Sequence, residues 1–112
     1  MPFDLSKLDF GQAMDMAKKL QARVAELENT LRRIELSTEV GGGMVRVRAN
    51  AAGEILALEI SAEAIEMKDP AVVSSLVLAG VNQALKLARE RREEEQRQAS
   101  MGLLPSLGGV MP

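Results

Sequence analysis

The chain has 112 residues, 27% of them charged, and a formal net charge of −2 at pH 7, a composition typical of one ordinary globular domain. It contains no cysteine and no histidine, which excludes cysteine nucleophiles, histidine general bases and Cys/His zinc sites. We therefore expect no catalytic residues, no metal site and no cofactor, and we predict that the chain is not an enzyme. Because aromatic residues make up only 2%, aliphatic residues and methionine must fill the core.

The sequence carries no sign of secretion or of a membrane span. Its first residues are acidic and lack a continuous apolar run, so they do not resemble a signal peptide. The apolar stretches are shorter than the ~18–20 residues that a membrane-spanning helix requires, so no membrane contact is expected. The absence of cysteine fits a reducing compartment, and we predict a protein of the cytoplasm.

A heptad repeat predicts the first helix, over about residues 10 to 34. Asp9 is placed to cap its N-terminus. The repeat forms an apolar seam that consists of Phe10, Ala13, Ala17, Leu20, Val24, Leu27, Leu31 and Ile34. We favour packing of this seam on its own domain, and the alternative is a coiled-coil or bundle contact with a second chain.

An alternation of apolar and polar residues then predicts three strands. They cover residues 34–40, 44–50 and 54–60. The run Gly41–Gly43 suits a tight reversal, and a second short turn follows the middle strand, so the strands form an antiparallel meander. A phosphate-binding loop is the other interpretation of the glycine run, but no helix follows it and it lacks the lysine of a P-loop.

The middle strand places Arg46 and Arg48 on one face, opposite its valines. These arginines could meet phosphate or mark a solvated face. We expect them instead to pair with acidic residues across the sheet or a dimer interface, the candidates being Glu35, Glu39 and Glu59.

A connector over residues 61–69 leads to a second long helix, for which Asp69 and Pro70 supply the N-cap and the first helical position. We expect this helix to run to about Ser100. Gly80 lies in its broad apolar arc and costs about 1 kcal/mol relative to alanine, which predicts a close backbone approach there. The charged run RERREEEQRQ, with oppositely charged pairs at i,i+4 spacing, predicts a solvated extension of the helix.

One chain offers more apolar surface than it can cover. The first helix has a full seam, the second a broad arc, and the third strand has apolar residues on both faces. Two helices cannot cover both faces and the edges of a three-stranded sheet, and an open edge invites another strand. We therefore predict a homodimer, formed by pairing the sheets edge to edge or by exchanging helices.

Three segments, GGGMVRVRAN, GEILALEI and VLAGVNQALKLA, carry a resemblance to a known family. Over about residues 11–108 the chain resembles the YbaB/EbfC family of small bacterial nucleoid-associated proteins, and it departs from that pattern at MPFDLSKLDF. The resemblance implies an α+β fold: an α-β-β-β-α subunit with a three-stranded antiparallel sheet and two long helices, in an intertwined homodimer. It also implies binding of double-stranded DNA by protruding helices with limited sequence preference, and a location in the nucleoid.

On this basis, residues 1–100 are predicted to form the dimerisation and DNA-binding domain, and residues 101–112 a Gly/Pro/Met-rich tail. The tail is either flexible or a docking segment. Basic residues of the two helices are the candidate DNA contacts, because both helices are neutral or slightly basic while the acidic excess lies elsewhere. The candidates are Lys18, Lys19, Arg23, Arg32, Arg33, Lys86, Arg89, Arg91, Arg92 and Arg97.

Two functional hypotheses follow. The first is a dimeric nucleoid-associated protein that contacts DNA phosphates with little base readout, affecting nucleoid organisation and gene expression. The lack of an aromatic platform argues against preferential binding of single strands. The alternative is a dimeric adaptor for a recombination or replication protein, which would use the seam and the tail and bind DNA weakly. Mixed Arg/Glu helix ends are also typical of a surface that is only solvated.

Overall fold

The computed structural model describes residues 9–103 and has three helices and three strands in this part of the chain. The elements are α1 (Phe10–Arg33), β1 (Glu35–Val40), β2 (Val45–Asn50), β3 (Ile55–Ile60), α2 (Ala62–Glu66) and α3 (Pro70–Leu103). The predicted α-β-β-β-α order with two long helices is confirmed, with α2 added. The predicted tail lies outside the described residues from residue 104 onward.

Both long helices begin at the predicted aspartates. The Asp9 carboxylate accepts a hydrogen bond from the Gly11 N–H at 2.9 Å, and the Asp69 carboxylate accepts one from the Val72 N–H at 3.3 Å. These side chains satisfy backbone donors that have no partner inside the helix. The starts of α1 and α3 are therefore fixed by local sequence.

The short helix α2 lies in the connector, where the sequence predicted no structure. Ser61 caps it, since its hydroxyl accepts a hydrogen bond from the Ala64 N–H at 3.1 Å. With only 5 residues, α2 is too short to display a helical repeat of apolar side chains. A serine at the N-cap with an acidic residue, Glu63, in the first turn was the available sequence signal.

The sheet is antiparallel with strand order β1-β2-β3, as predicted. Val45 and Val47 of the central strand β2 are buried and form the centre of the core. The β1–β2 turn contains Gly41, Gly42 and Gly43 at φ angles of 62°, 65° and 92°. Such positive angles are adopted at little cost only by glycine, so the interpretation of this run as a tight reversal is confirmed.

Helix α3 lies on the face of the sheet that carries Val45 and Val47. A Cβ atom added at Gly80 would lie 3.0 Å from Val47 Cγ2 and 3.4 Å from Val45 Cγ1. Ala84 and Ala88, on the following turns, are also buried. This row of small residues lets the helix backbone approach the valines closely, which is the compensation predicted for a glycine inside a helix.

Enlarging this contact should destabilise the fold. We expect Gly80→Val to lower the free energy of unfolding by about 1–3 kcal/mol, because the added methyl groups overpack against Val47. Ala79→Val is the matched control, since it places the same side chain at an exposed neighbouring position of α3. Urea unfolding of both variants tests the prediction. Helix propensity alone would make Gly80→Val slightly more stable than the parent and Ala79→Val slightly less stable, so a Gly80→Val variant that is no less stable than the parent would contradict the packing argument.

By length and composition, α3 is the one described helix that is apolar enough to cross a membrane. The expectation that no segment would meet this criterion is therefore wrong. The core helix of a globular protein passes the same test, and Gly80 and Ala84 of α3 lie against the valines of β2, whereas Leu78 of the same helix is 63% exposed. Burial against the strands accounts for the apolar character of this side of the helix.

Helix α1 extends well away from the sheet, and the described chain measures 73 × 32 × 20 Å. Leu31, near the C-terminal end of α1, is the buried residue of this helix. Phe10, Leu20 and Val24 are 78%, 56% and 61% exposed. The favoured interpretation, that the apolar seam packs on its own domain, therefore holds only near Leu31 and is wrong for the rest of the seam.

Candidate nucleic-acid interface

Helix α1 and the last part of α3 lie side by side and project from the sheet, and we call residues 10–33 and 92–103 together the arm. Arg92 joins the two helices at the base of the arm. Its guanidinium donates to the Glu28 carboxylate at 2.6 Å and to the carbonyl oxygen of Ala52 at 3.3 Å. Since Ala52 belongs to the turn between β2 and β3, Arg92 ties both helices to the sheet.

This arrangement gives Arg92 a structural role. Charge-assisted hydrogen bonds in a partly buried setting are stronger than those on the surface. The donors that a phosphate would need are already directed at Glu28 and Ala52. We therefore leave Arg92 out of the proposed interface, although the sequence placed it among the candidates.

Three other candidates form exposed ion pairs. The pairs are Arg91–Glu95 at 3.0 Å, Arg97–Glu94 at 3.0 Å and Arg32–Glu54 at 3.9 Å. The i,i+4 pair of Arg91 was expected from spacing, whereas Arg97 pairs at i,i+3 instead. Exposed pairs of this kind contribute little stability, so they do not prevent these arginines from exchanging a carboxylate for a phosphate.

The remaining six candidates form no ion pair within residues 9–101, and all six side chains are exposed. They are Lys18, Lys19, Arg23 and Arg33 on α1, and Lys86 and Arg89 on α3. At 3.6 residues per turn, the four on α1 fall within an arc of about 140°, on the side of the helix away from the apolar seam. We call these four residues the basic stripe.

The structure does not gather all the candidates into one cluster. Lys19 of the basic stripe and Ser100 of α3 line the same groove of the arm. Lys86 lies about 21 Å back along α3 from Ser100, close to the sheet. Lys18, Lys19 and Arg23 of the basic stripe therefore lie on the projecting part of the arm. Arg33, two residues before β1, lies nearer its base, as do Lys86 and Arg89.

The face of the sheet opposite α3 carries two basic and three acidic side chains: Arg46, Arg48, Glu35, Glu39 and Glu59. Arg46 pairs with Glu39 at 3.2 Å and Arg48 with Glu35 at 3.8 Å, which confirms the predicted pairing across the sheet. Glu39, Arg46 and Arg48 line an open depression of about 500 Å³. Within residues 9–103, no three acidic side chains converge to a site that could hold a metal ion. Both arginines are already paired, so the basic stripe is the better candidate for contact with phosphates.

Comparisons with known proteins identify a family that matches most of the chain. The family model described as the YbaB/EbfC DNA-binding family matches residues 6–103. A nucleoid-associated protein of Thermodesulfovibrio yellowstonii is 37% identical over 97 residues, which cover 87% of this chain and 85% of the relative. A nucleoid-associated protein of Anaeromyxobacter dehalogenans is 34% identical over 103 residues, covering 91% of this chain and 100% of the relative.

A solved structure shows the same fold. The crystal structure of an uncharacterised protein from Helicobacter pylori superposes with a TM-score of 0.70 at 24% sequence identity. The match covers 81% of this chain and 96% of that chain. The shared architecture therefore extends over nearly all of the Helicobacter protein.

Proposed function

The chain belongs to the YbaB/EbfC DNA-binding family, and we propose that it binds double-stranded DNA as a homodimer through basic residues of its helices. The names of its bacterial relatives support a nucleoid-associated role and, with it, a location in the nucleoid and cytoplasm. We propose a binding function and no catalytic one.

The basic stripe is the observation that carries this proposal. Its four side chains are exposed, have no carboxylate partner within residues 9–101 and lie on an arm that projects from the sheet. Lysine and arginine in this arrangement contact phosphates, and such contacts position a protein on DNA without reading its sequence. The stripe extends about 22 Å from Lys18 to Arg33, enough to follow several phosphates along a duplex.

The homodimer is supported by surface on β3 that the chain leaves uncovered. β3 is an edge strand, and β2 is its partner within residues 9–103. Leu56, Leu58 and Ile60 are 40%, 38% and 37% exposed. Leu58 and Ile60 pair with Val47 and Val45, so they share the side of the sheet that α3 covers at β2.

A second copy of the chain could cover the exposed side of β3, and the same surface would then be buried on both subunits. An open edge next to half-exposed leucines and isoleucines is a surface that another subunit can cover. Dimerisation through β3 would leave both arms accessible and would double the number of basic stripes presented to DNA. Edge pairing of β3 and exchange of helices across it are both compatible with this proposal.

The test is binding of a short labelled duplex at ~50 and ~200 mM salt, where contacts to phosphates make affinity steeply dependent on salt. For four to eight contacts, we expect the affinity to fall about 10²–10⁴-fold between the two conditions. An affinity that does not change with salt would contradict binding through phosphates. Absence of binding at the lower salt concentration would instead favour the adaptor for a recombination or replication protein.

A further inference from the structure

A groove of about 1030 Å³ runs between α1 and the end of α3. Leu20, Val24 and Leu27 form its wall on α1, and Ala99 and Ser100 belong to its wall on α3. Leu20 and Val24 are 56% and 61% exposed. The groove therefore has an apolar wall that no side chain of residues 9–101 covers.

We propose that residues 104–112 of the same chain occupy this groove. Helix α3 ends at Leu103, one turn beyond Ala99 and Ser100, so this segment begins at the open end of the groove. Its sequence, LPSLGGVMP, carries no charged side chain. Nine extended residues reach about 30 Å, whereas Leu20 and Leu27 are about 10 Å apart along α1. The segment is long enough to follow the whole apolar wall.

Charge and tethering both favour this occupant. Lys19, Arg23 and Glu26 also line the groove. An uncharged segment can cover the leucines without bringing a like charge close to any of these three side chains. A segment attached one turn away is present at a millimolar effective concentration, far above that of a second copy in dilute solution. Removing Leu20 and Val24 from water supplies the driving force for docking.

Docking would place the segment beside two residues of the basic stripe, Lys19 and Arg23. It would also add apolar contacts to the part of α1 that has few contacts within its own chain. The proposed role is therefore to support the arm from inside the same subunit. It does not depend on whether the arm binds DNA.

Disulfide formation in the full-length chain tests this proposal directly, because the natural sequence contains no cysteine. The test variant combines Val24→Cys with Leu107→Cys. The control combines Ala25→Cys with Leu107→Cys, which moves the cysteine on α1 by about 100° around the helix at nearly the same distance from the end of α3. Both positions on α1 are exposed, so neither substitution removes core packing.

We expect an intramolecular disulfide to form at least about tenfold faster in the test variant, because a disulfide requires Cα atoms within about 7 Å. Equal rates in the two variants would overturn the proposal. A disulfide between chains, seen as a doubled mass on a non-reducing gel, would assign the groove to a second copy and would also overturn it.

Hydrogen exchange provides a second readout. Replacing Leu104→Ser and Leu107→Ser together should speed exchange of the α1 amides over residues 18–26 severalfold, while exchange in β2 stays unchanged. Exchange of α1 that is the same in this variant and in the parent would contradict docking of the segment. A uniform increase across β2 and α1 would indicate global destabilisation and would likewise count against the proposal.

Discussion

Neutralising the basic stripe with Lys18→Gln, Lys19→Gln, Arg23→Gln and Arg33→Gln should remove most of the affinity for duplex DNA. Each phosphate contact contributes about 0.9 to the slope of log affinity against log salt concentration. A homodimer that uses both stripes would lose up to eight contacts, so we expect binding to weaken at least about 10³-fold near 0.1 M salt and the slope to flatten by up to about 7. Fluorescence anisotropy with a labelled duplex over a range of salt concentrations measures both effects. The four side chains are exposed, so the fold should be retained.

A matched pair of variants separates position from net charge. Lys18→Gln with Lys19→Gln and Arg46→Gln with Arg48→Gln each remove two positive charges, one pair from the arm and one from the sheet. Arg46 and Arg48 are already paired with Glu39 and Glu35. We expect the sheet variant to keep the salt slope of the parent and the arm variant, which removes two contacts from each subunit, to lose up to about 3.6 of it. Equal losses would show that net charge governs binding and would contradict a role for the stripe.

Leu58→Glu should dissociate the proposed homodimer. The substitution places a carboxylate on the uncovered side of β3, where Leu58 is 38% exposed, so the subunit itself should still fold. Burying an unpaired charge in an interface costs about 2–5 kcal/mol, so the dissociation constant should rise at least about 30-fold. Size-exclusion chromatography with light scattering should then report the subunit mass of 12.1 kDa in place of twice that value.

Ala57→Glu is the control for this experiment. Ala57 is on the same strand but on the opposite face, where it pairs in register with Arg48. A carboxylate there lies beside a guanidinium, and we expect the dimer to persist. A homodimer that survives Leu58→Glu would contradict an interface on the α3 side of β3. Because dissociation separates the two stripes, Leu58→Glu should also reduce the salt slope of DNA binding by about half.

The sequence predicted those elements of the fold that depend on local chemistry. The alternation in β2 identified its buried valines, the aspartate caps located both long helices, and the three glycines located the first turn. Cross-strand pairing of Arg46 also followed from alternation, because neighbouring strands in a short meander have few possible registers. Only α2 was missed, since its 5 residues provide less than two turns of pattern.

The candidate site was less predictable because its decisive contacts are distant in sequence. Arg92 has the same local setting as Arg91, in a run of arginines and glutamates, yet its partner Glu28 is 64 positions away. The heptad repeat identified the apolar side of α1 correctly. It carried no information about whether the same chain, a second copy or another segment covers that side. The spacing of apolar residues shows which side of a helix is apolar, whereas the segment that covers this side is determined by the tertiary structure.

The contacts of Arg92 determine where the arm can bend. At that point two hydrogen bonds of Arg92 connect α1, α3 and the turn after β2, whereas Leu20 and Val24, farther along α1, are largely exposed. An elongated body held firmly at its root and loosely toward its tip deforms mainly at the tip. A pair of such arms would adapt to duplexes of different groove width and curvature while the sheets stay rigid. The ability to bind duplexes of different shape would then come from the flexibility of the arm tips, independently of any contact with a base.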